Sequence, residues 1–175
     1  VNVCLFGDDN LSIFEKTHRT VSAQRKKEMQ KRAALILSEL AGFAAEHDVK
    51  LFLEPLNRYS TPFCSTADDA LAIVKEANAT HLGLMLDTFH MNIEEDSFTH
   101  TISKVADVLG HVHFADNNRK MPGYGHIDFK EIVGALLHEG YDGYVTFEPN
   151  IRDPNYDVSL KNGLQYVKSI ENMYG

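Results

Sequence analysis

The chain has 175 residues, of which 43% are hydrophobic and 24% are charged. This composition is typical of one globular domain and excludes an intrinsically disordered chain, so we treat residues 1–175 as a single domain. No apolar run reaches the roughly 18 residues of a membrane span. The formal net charge of −8 disfavours sequence-independent binding to nucleic acid. With two cysteines and no secretory signal in the sequence, we expect a cytoplasmic protein without a disulfide framework.

Apolar periodicity predicts a long helix first and then an alternation of strands and helices. From Met29 to Ala44 the apolar residues recur at helical spacing, and Ser22 fits the N-cap position. Residues 1–6 have the pattern of the tail of an earlier strand. The later predicted strands are 50–54, 81–87, 111–114 and 143–148, and the later predicted helices are 66–78, 97–109, 128–139 and 158–174. This alternation predicts parallel βαβ units.

Two architectures are compatible with parallel βαβ units. A doubly wound open sheet can be built from four or five strands alone. A closed (β/α)8 TIM barrel needs about 250 residues. The length of the chain favours the open sheet, whereas the placement of its polar residues favours the barrel.

A side chain that can bind a metal stands at or near the end of each of the four later strands. These residues are Glu54, Asp87, His113 and Glu148. Parallel strands with helical crossovers point the same way, so their ends meet at one face, which in a barrel is the active-site end. Three carboxylates packed together repel one another unless a cation neutralises them. Three oxygen donors and one imidazole suit Mn²⁺, Mg²⁺ or Co²⁺ better than a structural Zn²⁺. The alternative is that each residue is merely solvated at a strand end.

Further polar residues follow these strand ends, where the loops of a barrel hold substrate contacts. Asn57 comes just after the first strand end, His90 follows the second and Arg119 follows the third. We expect His90 and Arg119 to bind hydroxyl or carbonyl oxygens of a substrate, with plain surface-loop positions as the alternative.

Five motifs together resemble the sugar isomerase/epimerase family with the xylose isomerase-like barrel, and within it the ketose 3-epimerases of the D-tagatose and D-psicose type. The motifs are LEPLNRY (53–59), LMLDTFHMN (84–92), HVHFADNNR (111–119), GHIDF (125–129) and FEP (147–149). Their order and spacing carry the resemblance. The family barrel has eight strands, so the resemblance implies that this chain is roughly the C-terminal half of a (β/α)8 TIM barrel. It would supply strands 5–8 with their flanking helices.

The resemblance also implies a metal-dependent epimerase. Glu54, Asp87, His113 and Glu148 would bind one divalent ion, for which we expect Mn²⁺, with Mg²⁺, Co²⁺ or Zn²⁺ as alternatives. Glu54 and Glu148 would also act as the acid/base pair that epimerises a ketose at C3 through an enediolate.

The implied substrate contacts are Asn57, Ser60, His90 and Arg119. Ser60 departs from the family, because these epimerases typically carry at this position a second Glu that contacts the sugar. The exact substrate is therefore open. The expected partner is a small sugar, with no nucleic acid and no membrane. Either a homo-oligomer or a missing N-terminal half of the same barrel would complete the assembly.

Three other functions are compatible with these residues. The first is an isomerase of a small hydroxy-keto acid or an inosose on the same metal site. The second is a DNA-repair endonuclease related by fold, which a single four-ligand set and the charge of −8 disfavour. The third is a non-catalytic homologue, which the presence of all four candidate ligands disfavours.

Overall fold

The computed structural model describes residues 1–6, 21–150 and 154–174. The strands are β1 Asn2–Cys4, β2 Leu51–Glu54, β3 Leu82–Asp87, β4 Leu109–Phe114 and β5 Tyr144–Phe147. The helices are α1 Ala23–Glu46, α2 Ala67–Ala77, α3 Thr88–Glu94, α4 Phe98–Val105, α5 Phe129–His138 and α6 Tyr156–Glu171, and a 3₁₀ turn spans Ala106–Val108. Strands alternate with helices, which confirms the predicted α/β class. Within these residues no helix is long and apolar enough to cross a membrane.

The chain divides into two compact units, Val1–Leu86 and Asp87–Gly175. The first unit contains three parallel strands in the order β1, β2, β3, with Cys4 in register with Glu54 and Leu53 in register with Leu84. The helices α1 and α2 pack against each other. The interpretation of residues 1–175 as a single domain stays a prediction.

The second unit contains the parallel pair β4 and β5, with His113 in register with Thr146. Helix α5 packs against both α4 and α6. The core includes Phe114 and Phe129, both fully buried, with ring centroids 5.2 Å apart. Glu148 directly follows Phe147, the last residue of β5.

Polar side chains cap three of the helices, and Ser22 is the N-cap that the sequence predicts for α1. The Ser22 hydroxyl accepts a hydrogen bond from the Arg25 N–H at 3.2 Å, at the beginning of α1. The Thr66 hydroxyl accepts a hydrogen bond from the Asp69 N–H at 3.2 Å, at the beginning of α2. Asp128 caps α5 through the Lys130 N–H at 2.9 Å. Each cap satisfies an N–H group that has no partner within its helix.

Two local elements differ from the sequence prediction. The seven-residue helix α3 follows β3 directly, although no helix was predicted there. Its N-cap is Asp87, the last residue of the strand, so no loop residues mark the transition. The helix predicted over 97–109 ends at Val105, because the chain tightens into the 3₁₀ turn and Leu109 already belongs to β4.

Candidate metal centre

Three of the predicted ligands form a cluster in the second unit. Ligand atoms of Asp87, His113 and Glu148 lie within 4.8 Å of one another. The Nδ1 atom of His113 lies 3.2 Å from Oε2 of Glu148 and 3.8 Å from Oδ2 of Asp87. His113 lies on β4 in register with Thr146 of β5. Glu148 comes two residues after Thr146, so its side chain lies on the same side of the sheet as the His113 imidazole. One imidazole and two carboxylates are a donor set that a divalent ion such as Mn²⁺ accepts, so the residues fit the metal that the resemblance implies.

The electrostatics of the cluster keep Glu148 ionised. The hydrogen bond with His113 lowers the pKa of Glu148 to about 2, with smaller contributions from Asp87 and Arg119 and an opposing contribution from burial. Glu148 is partly exposed, whereas Asp87 has no accessible surface. A carboxylate that stays ionised at the open side of the cluster is suited to bind a cation.

Arg119 lies directly against this cluster. Its guanidinium donates to Oδ1 of Asp87 at 2.8 Å and also to Oε2 of Glu148, and it stacks over the Phe89 ring at 4.8 Å. The backbone at Arg119 is left-handed, with φ of 58°, and its carbonyl accepts a 2.6 Å hydrogen bond from the Asn150 N–H. The structure therefore places a predicted substrate residue beside two predicted ligands.

His90 lies on α3, next to the carboxylate of Asp87. Its backbone N–H donates to Oδ1 of Asp87 at 3.2 Å. Burial, followed by the charge of Arg119, lowers the pKa of His90 to about 4. The imidazole is therefore neutral at physiological pH, and a neutral imidazole can both donate and accept hydrogen bonds with a sugar hydroxyl.

The remaining predicted site residues lie in the first unit. Glu54 ends β2 and is 2% exposed. Asn57 is buried, and its Oδ1 accepts from the Tyr59 N–H at 3.0 Å and from the Ser60 hydroxyl at 3.4 Å. These bonds show that Asn57 organises the turn after β2. Substrate contact by Asn57 and Ser60 stays a prediction.

Asp116 has a structural function that sequence reasoning missed. Its buried carboxylate accepts hydrogen bonds from four backbone N–H groups, those of Asn117, Gly123, Gly125 and Ile127, at 2.8 to 3.1 Å. These bonds fix the loop that carries Arg119. The available signal was an acidic residue followed closely by the glycine-rich stretch GYGHIDF, since short turns often converge on a carboxylate.

Thr88 was also missed as a structural residue. Its buried hydroxyl donates to the Ala115 carbonyl at 2.6 Å and accepts from the Ala115 N–H at 2.9 Å. The contact ties the residue after Asp87 to the residue after Phe114. It therefore stabilises the backbone that carries two of the predicted ligands, Asp87 and His113.

Comparison with known proteins defines the family. The chain belongs to the xylose isomerase-like TIM barrel family, which matches residues 7–173. The predicted membership and the predicted TIM-barrel fold class are thereby confirmed.

The similar proteins include sugar epimerases. A D-psicose 3-epimerase from Enterocloster bolteae is 43% identical over 118 residues, which are 67% of this chain and 39% of the relative. A 3-dehydro-D-guloside 4-epimerase from Escherichia coli is 36% identical over 133 residues, 76% of this chain and 51% of the relative. The solved D-psicose 3-epimerase of Clostridium cellulolyticum, with D-tagatose, matches with a TM-score of 0.80 at 33% identity, over 86% of this chain and 58% of that one. The chain thus spans about half the length of these relatives.

Proposed function

We propose that this chain carries the metal ligands and the acid/base residues of a ketose 3-epimerase. The observation that carries the proposal is the cluster of Asp87, His113 and Glu148, whose ligand atoms lie within 4.8 Å of one another. The substrate class is supported by the similarity to two D-psicose 3-epimerases.

We infer that Glu54 completes the ligand set. It is a buried carboxylate at the end of a parallel strand, as Asp87 is, and the resemblance to the ketose 3-epimerases assigns it this function. A buried carboxylate is costly to keep charged without a compensating cation. The expected ion is Mn²⁺, with Mg²⁺, Co²⁺ or Zn²⁺ as alternatives. When bound, the ion supplies Lewis-acid chemistry that makes the hydrogen next to a ketone more acidic.

The two glutamates would move the proton. One carboxylate, Glu54 or Glu148, removes the proton from C3 of the ketose on one face, and the other glutamate returns a proton on the opposite face, so the centre is inverted. In the reverse reaction the two glutamates exchange the functions of base and acid.

The substrate oxygens would be held by four side chains: Asn57, Ser60, His90 and Arg119. Of these, Arg119 and His90 are supported by their position beside Asp87. A guanidinium and a neutral imidazole can orient hydroxyl and carbonyl oxygens so that the C3 hydrogen faces a glutamate. Ser60 offers a shorter and neutral contact where the family typically carries a Glu, so the preferred sugar can differ from D-psicose.

A second candidate is epimerisation at C4. It is favoured by the similarity to the 3-dehydro-D-guloside 4-epimerase, which extends over 76% of this chain. In a sugar with its ketone at C3, the same acid/base pair would act on the hydrogen of C4, which is next to that ketone.

Hydrogen exchange in D₂O tests both candidates. The protein with Mn²⁺ is incubated with D-psicose, D-tagatose, D-fructose and a 3-keto sugar, and deuterium at C3 and C4 is followed by NMR. We expect exchange at C3 of a ketose, and a loss of at least about 100-fold in both Glu54→Gln and Glu148→Gln.

Matched controls separate this effect from a general loss of charge. Glu76→Gln in the first unit and Glu131→Gln in the second change exposed carboxylates and should keep the wild-type rate. Near-wild-type exchange in either Glu54→Gln or Glu148→Gln would reject the acid/base pair. Exchange at C4 of the 3-keto sugar alone would favour the second candidate, and no exchange with any sugar would contradict the proposal.

A further inference from the structure

The strand β1 lies beside β2 in the first unit, and its side chains reach the candidate ligand Glu54. The two strands are parallel, with Cys4 in register with Glu54 and Asn2 in register with Phe52. The Phe52 N–H donates to the Val1 carbonyl at 2.8 Å, which fixes this register. Because side chains alternate along a strand, Asn2 and Cys4 lie on the same face of the sheet as Glu54.

Both of these side chains contact one oxygen of the Glu54 carboxylate. The Asn2 Nδ2 donates to Oε2 at 2.7 Å, and the Cys4 Sγ lies 3.2 Å from the same atom, within reach for a thiol hydrogen bond. The Cys4 Sγ also lies 3.8 Å from the Asn2 Oδ1. The three side chains therefore form one connected polar group around Oε2.

Two donors on one oxygen restrict the rotation of the whole carboxylate. The amide donates to a charged acceptor, which is a stronger contact than a hydrogen bond between neutral groups, whereas a thiol is a weak donor. Side chains that hold a metal ligand in this way typically contribute about 10- to 100-fold to metal affinity or activity.

We propose that Asn2 and Cys4 are positioning residues that orient the Glu54 carboxylate for its work as a ligand and acid/base group. The ligand and acid/base functions of Glu54 rest on the proposed function. The contacts that orient its carboxylate do not depend on that function. Neither residue belongs to the motifs that carry the family resemblance, which begin at Leu53.

The test compares single variants of β1. Asn2→Ala should weaken Mn²⁺ binding, measured by calorimetry, by about tenfold or more. Cys4→Ala should weaken it less, because the thiol is the weaker donor, and Cys4→Ser should recover affinity because its hydroxyl can donate to the same oxygen. In crystals of the metal-free Asn2→Ala and Cys4→Ala double variant, the Glu54 carboxylate should adopt a different orientation.

Val3→Ala is the matched control for a general disturbance of β1. Val3 lies on the same strand but on the opposite face, where it lines an apolar cavity with Leu40 and Phe43. The Val3→Ala substitution should lower the melting temperature at least as much as the other substitutions. It should leave the Mn²⁺ affinity and the orientation of the Glu54 carboxylate unchanged.

The outcomes separate this inference from the proposed function. Wild-type Mn²⁺ affinity and an unmoved Glu54 carboxylate in the double variant would overturn the positioning inference and leave the function intact. A wild-type protein that does not bind Mn²⁺ would refute the proposed function. The carboxylate orientation in metal-free crystals would then still decide whether Asn2 and Cys4 hold Glu54.

Discussion

The carboxylate of Asp87 shows how one residue can serve both the fold and a ligand site. Its Oδ1 accepts from the Phe89 N–H at 2.8 Å and from the His90 N–H at 3.2 Å, so it caps α3. The same oxygen accepts from Arg119. These bonds fix the orientation of the side chain, and Oδ2 then lies 3.8 Å from Nδ1 of His113. The helix cap therefore holds the other oxygen in a fixed position for the metal that we propose.

Asp116 is the residue whose replacement should disturb the loop most. In Asp116→Asn, an amide N–H₂ replaces one carboxylate oxygen and opposes backbone N–H groups that need an acceptor. We expect a loss of roughly 3 kcal/mol or more in the free energy of unfolding, since hydrogen bonds to buried charged groups contribute about 1.5 to 3 kcal/mol each. Urea unfolding followed by circular dichroism measures it. The control is Asp107→Asn, at an exposed aspartate, and equal midpoints for the two variants would contradict the assignment.

At the scale of elements, most helices and strands could be predicted from the sequence because their signals are local. Ser22, Thr66 and Asp128 precede apolar residues at helical spacing, and all three are N-caps in the structure. Helix α3 escaped prediction because its cap is also the last residue of a strand, so the two patterns overlap at Asp87. The proximity of Asp87, His113 and Glu148 could be predicted because the carboxyl ends of parallel strands meet at one edge of a sheet.

Two glycines should respond to alanine in opposite ways. Gly42 is exposed within α1, and a Cβ there would meet nothing within 4 Å, so Gly42→Ala should stabilise the protein by about 0.5 to 1 kcal/mol. At Gly125 a Cβ would lie 2.1 Å from Oδ1 of Asn117 and 2.2 Å from Oδ1 of Asp116, so Gly125→Ala should destabilise the loop. Thermal melting measures both changes, and a shift of the same sign in the two variants would contradict this account.

The turn that leads into β5 should make stability depend on alkaline pH. The Tyr141 hydroxyl donates to the Tyr144 carbonyl at 2.9 Å, and burial, helped by the charge of Asp142, raises the pKa of Tyr141 to about 12. An unfolded tyrosine has a pKa of about 10, so the unfolded chain loses its proton first. The stability from this group is therefore complete below pH 10 and is lost as the pH rises toward 12.

Urea midpoints at pH 9 and pH 11 measure this dependence. Tyr141→Phe should show a smaller decrease between the two pH values than the wild type. Tyr59→Phe, at a tyrosine that is 69% exposed, is the control and should behave as the wild type. An unchanged decrease in Tyr141→Phe would mean that other groups cause the alkaline loss.

At the scale of the whole molecule, the contacts around the ligands were the part that the sequence could not specify. Arg119 was predicted to bind a substrate, and the sequence indicated neither its ion pairs with Asp87 and Glu148 nor its left-handed backbone. The loop conformation in turn depends on Asp116, whose four backbone partners are spread over eleven residues of chain. Such contacts depend on loop geometry, so the apolar periodicity that predicts helices and strands does not indicate them.

A crystal structure of the protein grown with Mn²⁺, with anomalous data collected at the manganese edge, tests the central claim most directly. We expect one anomalous peak with Asp87, His113 and Glu148 as ligands at about 2.0 to 2.4 Å, and with Glu54 joining them. A structure without a peak at these residues, in which the carboxylates of Asp87 and Glu148 keep their contacts with His113 and Arg119, would contradict the metal centre and the function proposed for it.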